Sequence, residues 1–254
     1  MSDTRSPPDR PPRTQTSTRP YFLATVSAAA VALGAGMLAR RRSLRAALED
    51  AAVPAPDNPL GDGARLLTRN VIQYFVVPLW TAAGVADWWC HRHSGIEETT
   101  GLKESLIHVA MLGEAGVCVV AGLLVEVNAP VLATMIASFF LHEATAMWDV
   151  SYAVTAREVT PIEQHVHSFL EMVPLMAVAL VTLLHWPQFE ALVGRRVEPP
   201  APLLTAKKDP LAIPYVISTM ASLLLLEGLP YGEEMLRDWR AHPGRLKPPA
   251  ARAA

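Results

Sequence analysis

Apolar positions along the chain fall into long runs rather than the short stripes of a soluble amphipathic helix. The runs are roughly Tyr21–Ala39, Asn70–Cys90, Leu102–Val125, Pro130–Val154, Pro161–Leu192 and Ala212–Leu229. Each is close to the ~20 residues that carry a helix across a ~30 Å hydrocarbon layer. The pattern predicts an all-α, multi-pass membrane helical bundle of about six spans, five at minimum. Its second to fifth spans, residues 70–192, should form a central four-helix cluster. Residues 1–20 are rich in Pro, Arg, Ser and Thr and bury too little to offset ordering, so they read as a disordered tail. Residues 40–69 and 193–211 read as loops, 212–229 as the last membrane helix and 230–254 as a basic C-terminal tail. The run at 21–39 fits a first membrane helix or signal anchor. A cleaved signal peptide is its rival, and Arg40, Arg41 and Arg42 make a poor cleavage region.

Local signals agree with these boundaries. Pro130 and Pro161 stand where first-turn prolines belong, and Thr160 with Glu163 has the spacing of a capping box. Trp88, Trp89, Trp148 and Trp186 lie near span ends as an aromatic belt would, whereas Trp80 falls mid-span.

Composition strengthens the membrane reading. Hydrophobic residues make up 51% of the chain and charged ones only 18%, with a mean hydropathy of +0.22, too apolar for an ordinary soluble domain. The net charge of -2 comes without an aromatic-interleaved basic stripe, which excludes nucleic acid as a partner class. Cys90 and Cys118 do not make a disulfide framework. Membrane lipids are the expected surroundings, in a bacterial-type inner or other cellular membrane. Lys and Arg are nearly balanced between alternate sides, so charge assigns no orientation.

The ionisable residues inside the runs are gathered. Successive spans reverse direction, so the end of the second, the start of the third, the end of the fourth and the start of the fifth share one membrane face. Residues four apart share a helix face, which pairs Asp87 with His91, Glu104 with His108, and both Glu163 and Glu171 with His167. His142 and Asp149, seven apart, share a stripe. Four helices therefore each offer a carboxylate and an imidazole, the ligand supply of a carboxylate-bridged dimetal centre. That donor mixture suits a divalent transition metal, Fe first and Mn or Zn next, rather than Ca or Mg.

The expected metal ligands are Asp87, His91, Glu104, His108, His142, Asp149, His167 and Glu171, with Glu143, Glu163 and His165 behind them or as alternative ligands. His108, His142 and Glu171 should lie on the order of 10 Å deeper than the shallow acids. Each charge at the membrane centre costs about 2.5–3.5 kcal/mol on insertion scales, and no obvious Lys or Arg partner stands at that depth. A metal ion would compensate. Simpler roles compete: Glu163 as a capping acid, Glu104 as an acid at a helix N-terminus, and His93, Glu97 and Glu98 as solvated loop residues. The last helix should supply no ligand. The four-residue spacing differs from the Glu-x-x-His of soluble di-iron bundles, and the clustered His-x-x-His-His boxes of membrane desaturases and hydroxylases are missing.

These residues lead to the expectation of a membrane metal-dependent oxidoreductase, non-haem and dimetal, acting on a lipid or other hydrophobic small molecule with a redox partner supplying electrons. A zinc hydrolase of lipid amides or esters would use the same ligands. A b-type haem electron carrier would need only facing histidines such as His108 and His167. A proton- or metal-coupled transporter would use the acids as a relay.

Overall fold

The computed structural model describes residues 60–196 and 204–249. The first apolar run at 21–39, the N-terminal tail and most of the loop before Asn70 lie outside the described residues. Helix α1, Asp62–Val71, continues through a π turn at Ile72–Val76 into α2, Val77–Ser94. A single 3₁₀ turn, Ile96–Glu98, leads to α3, Leu102–Leu124, followed by α4, Ala129–Ala153, and α5, Pro161–Leu184. Short α6, Trp186–Leu192, precedes α7, Ile213–Leu223, which passes through a second π turn at Leu224–Gly228 into α8, Leu229–Ala241. Among the described residues there is no strand, only an isolated antiparallel bridge between Val125 and Ala206.

The helix ends follow from local chemistry. Gly95 takes a left-handed φ of 64° and its N–H closes α2 on the His91 carbonyl, a conformation that favours glycine. The Asn128 side chain accepts from the Val131 N–H to start α4. The Thr160 and Glu163 capping box starts α5, with Pro161 in the first turn. Both π turns have a physical cause. Pro78 and Pro230 lack an N–H and would crowd the carbonyls of Tyr74 and Leu226, four residues back, and each π turn widens the helix at that place.

Four helical stretches are long and apolar enough to cross a membrane: Leu102–Leu124, Ala129–Ala153, Pro161–Leu184 and Ile213–Ala241. This is consistent with an integral membrane protein. The distribution of side chains is inverted relative to a soluble fold. Leu106, Val117, Phe140, Leu141, Met172 and Leu225 face outward, while Asp87, His91, Glu104, Glu163, Glu234 and Asp238 are buried. In water such a surface would be an exceptional apolar patch; in lipid it is solvated.

The last helix differs from the sequence expectation. It runs on to Ala241 instead of ending at Leu229, because Glu227, Glu234 and Asp238 turn inward, and hydropathy counts them against a span without seeing their direction. The run Pro161–Leu192 also divides at His185, where a φ of -115° and ψ of 41° interrupts the helix. Helix α3 packs on α4, α2 on α5, and α8 on both α2 and α3. Val127, Val131, Leu132 and Met135 form an apolar core near the α3–α4 turn. The polar residues gather at the other end of the same helices.

The outward apolar faces predict that high salt and alkaline carbonate leave the protein in the membrane pellet and that detergent releases it. Recovery in the carbonate-soluble fraction after fractionation and immunoblotting would contradict this.

Candidate metal centre

The polar end of the helices is built around two imidazoles. His91 on α2 and His108 on α3 stack with ring centroids 4.4 Å apart and planes only 7° from parallel. One carboxylate, Glu234 on α8, reaches both: Oε2 lies 3.1 Å from His91 Nδ1 and Oε1 lies 2.7 Å from His108 Nδ1. An ionised carboxylate only accepts, so each Nδ1 donates to Glu234, and in the neutral imidazole each Nε2 would keep its lone pair. Ser105 Oγ supports this arrangement, 3.1 Å from Glu234 Oε1 and 2.6 Å from Asp238 Oδ2.

Both free Nε2 atoms face carboxylates. His108 Nε2 is 3.4 Å from Asp149 Oδ1 and 4.0 Å from Glu104 Oε1. His91 Nε2 is 3.5 Å from Asp87 Oδ1 and 3.6 Å from Glu163 Oε1. His167 Nε2 joins from α5, 3.0 Å from Asp87 Oδ1. Two ligand atoms bound to one metal at about 2.0–2.2 Å lie ~3–3.5 Å apart for right-angle to tetrahedral geometry, so these separations are near those of a coordination shell. Among the described residues two groups have ligand atoms all within 4.8 Å of one another, Asp87 with His91 and His167, and His91 with Glu104 and His108. These buried groups could hold a metal ion.

Hydrogen bonding leaves a consistent remainder. Among the described residues, His91 Nε2, His108 Nε2 and Asp149 Oδ1 are buried without a hydrogen-bond partner. Buried polar atoms are nearly always satisfied, and here three that are not lie in one cluster. Asp87 Oδ2, by contrast, accepts from the Tyr231 hydroxyl at 3.1 Å.

Arg157, in the turn between α4 and α5, closes the face-side edge. Its Nη2 lies 2.6 Å from Glu104 Oε1 and 2.5 Å from Glu163 Oε1. Burial alone would lower its pKa, but the hydrogen bonds it donates to Glu163 and Glu104 outweigh that and raise it, keeping the guanidinium charged. Five carboxylates, Asp87, Glu104, Asp149, Glu163 and Glu234, thus face this one guanidinium and three imidazoles.

Of the residues expected from sequence, Asp87, His91, Glu104, His108, Asp149, Glu163 and His167 are brought together. His142 and Glu171 are not part of the tight groups. They line an adjoining cavity of about 50 Å³ together with Asp87, His108, Asp149 and His167. His142 Nδ1 sits 3.7 Å from Glu114 Oε2 instead. Glu143 is half-buried with an unpaired Oε1, and His165 is exposed against Phe169. His93 is exposed, while Glu97 accepts from Arg237 at 2.6 Å and so is more than a solvated loop acid.

Sequence reasoning missed Arg157, Tyr231 and Glu234. The i,i+4 signal within Glu227, Tyr231, Glu234 and Asp238 was present, but it straddles the apolar boundary at Leu229. Glu227, in the second π turn, is also buried beside Gly84, where a Cβ would collide with its carboxylate.

Replacing Glu234 with Ala should strand two buried ring N–H groups at about 1–3 kcal/mol each. Replacing neighbouring Glu233, whose partners Arg92 and Trp88 are nearer the surface, should cost about 0–1 kcal/mol. Thermal unfolding in detergent compares them, and equal shifts would contradict the bridging role. Comparison of the chain with protein-family models, with curated proteins and with solved structures finds no match in any of the three.

Proposed function

We propose that this is a multi-pass integral membrane metalloenzyme with a dinuclear transition-metal centre, a non-haem oxidoreductase acting on a hydrophobic substrate. The observation that supports it is the pair of stacked imidazoles whose Nδ1 atoms share Glu234 while their Nε2 atoms, unpaired, face acids. A carboxylate behind a histidine fixes its tautomer and raises its basicity, the usual support of a metal ligand. In this reading His108, Asp149 and Glu104 serve one metal position, and Asp87, His91 or His167, and Glu163 serve the other. Six spans, including 21–39, and the four-helix arrangement belong to the same proposal.

Bound iron or manganese would supply redox chemistry that no side chain here provides. The protein's own share is positional. Tyr231 holds Asp87 through Oδ2 and leaves Oδ1 to the site. Arg157 balances part of the acid charge at the aqueous edge. The small cavity beside Asp87, His108 and His167 has room for a few molecules of water size.

The excess of carboxylate over imidazole favours Fe or Mn over Zn, which places the oxidoreductase ahead of the hydrolase. A haem between His108 and His167 is disfavoured because His108 has acids at both ring nitrogens.

Elemental analysis of detergent-purified protein tests the proposal. Reconstituted wild type should bind about two metal equivalents. His91→Ala and His108→Ala should each lose most of the metal, and His93→Ala should retain it. Well-folded wild type that stays substoichiometric after exposure to Fe, Mn and Zn would overturn the metal reading.

A further inference from the structure

A second and much larger cavity, about 580 Å³, opens at the membrane face opposite the His/Asp/Glu cluster. That volume lies in the range of small-molecule sites, ~300–1,000 Å³. Its mouth is formed by the start of α1, the end of α3, the α5–α6 junction and the segment before α7, and it carries Arg65, Arg69, His185, Lys207 and Lys208 alongside Asp62, Glu126 and Asp209. Its walls are apolar, with Val119, Leu123, Phe139, Val173 and Val178 among them. Its inner end is marked by Trp80, Glu114 and His142. Trp80 and His142 also line the small cavity beside Asp87, His108 and His167. The large cavity therefore abuts the space in front of the proposed metal centre.

The charges at its two ends differ in sign. At the mouth, Asp209 is taken by Arg69 at 3.4 Å, and Glu126 accepts from the Lys208 backbone N–H at 3.1 Å, tying that segment to the end of α3. Arg65 and Lys207, both half-buried, have no ion pair among the described residues. Burial pushes the Lys207 ammonium below its ordinary pKa further than Glu126 pulls it back, and Arg69 adds to the downward push. Burial, and then the Lys207 charge, hold His185 down to about 4, so it is neutral and able to donate or accept. The inner end carries Glu114, whose Oε2 has no hydrogen-bond partner. The mouth thus sets four cations, Arg65, Arg69, Lys207 and Lys208, against three carboxylates, Asp62, Glu126 and Asp209, whereas the inner end carries Glu114 and no Lys or Arg, so an anion is favoured at the mouth.

From these features we infer that the cavity binds a single-chain amphiphile with an anionic head, of which a long-chain fatty acid is the simplest. The head sits against Arg65 and Lys207, and the chain runs inward between α3 and α5 toward His142. From Leu124 to Glu114 the α3 axis advances about 15 Å, so it is the distal part of the chain, not the head, that approaches the cluster. The inference deepens the proposed function by naming its substrate class and rests on that reading for the chemistry, but not for the binding.

Binding of radiolabelled palmitate to delipidated full-length protein in detergent tests it, with hexadecanol and palmitate methyl ester as uncharged competitors. Palmitate should bind saturably at one site, and the uncharged competitors should displace it poorly. Lys207→Glu should weaken binding about tenfold or more, the worth of one charge-assisted hydrogen bond, and Ala177→Trp, which fills the apolar wall, should abolish it. Metal content should be unchanged in both variants. Absence of saturable binding in full-length protein would overturn the inference, whether bilayer phospholipid or the chain's own 21–39 run fills the space. So would equal displacement by the uncharged competitors, or unchanged affinity in folded Lys207→Glu and Ala177→Trp. Palmitate binding in protein that takes up no metal would sustain the cavity assignment while removing the oxidoreductase reading, so the two failures are separable.

Discussion

The bridge from Glu234 to His91 and His108 is the interaction on which the rest of the polar end depends. One carboxylate on the last helix fixes two tautomers at once, and it does so where the apolar exterior removes water as a competing partner. With both Nδ1 protons directed at Glu234, the two Nε2 atoms are turned toward Asp87, Asp149, Glu104 and Glu163. Those acids would repel one another if left unbalanced. Arg157 answers part of that charge, and a bound cation is the natural complement for the remainder.

The same bridge explains why the last helix is shaped as it is. To bring Glu227, Tyr231, Glu234 and Asp238 onto α2 and α3, the chain carries four polar side chains inward on a helix whose outer face is Leu224, Leu225, Leu229 and Leu236. The π turn at Leu224–Gly228 accommodates Pro230 and sets Glu227 against the bare backbone of Gly84. The single Tyr231 hydroxyl proton then lies between two acceptors, Asp87 Oδ2 at 3.1 Å and the Gly84 carbonyl at 3.3 Å. Sequence distance is no guide to these contacts, which join residues more than 120 positions apart.

Much of this end of the molecule was legible in the sequence because helices impose a regular geometry. The pairs Asp87/His91, Glu104/His108 and Glu163/His167 follow from the four-residue repeat, and their common membrane face follows from alternating direction. Hydropathy located the four long apolar helices of the described residues for a similar reason, since length and composition are local properties, but Asn70–Cys90, also expected to span, is not among them. What local properties cannot give is rotation about the helix axis. His142 was expected beside Asp149 on one stripe, yet its side chain turns to Glu114 on the neighbouring helix. Glu234 and Arg157 were invisible because one lay beyond an apparent span end and the other in a turn, and only packing brings them inward.

The arrangement also separates two environments along one set of helices. Near the Glu104 end, charge and hydrogen bonding dominate; near the Glu126 end, α3 and α5 line an apolar space with a basic mouth. His142 and Trp80 stand where the two meet. The central claim, that the Nε2 atoms of His91 and His108 are metal donors, is tested most directly by X-ray absorption at the metal edge on purified, iron-reconstituted protein. The account predicts nitrogen and oxygen ligands at about 2.0–2.2 Å and a metal–metal vector of about 3.5–4 Å, with the nitrogen contribution reduced in His108→Ala. A spectrum without imidazole scattering, or one unchanged by that substitution, would contradict it.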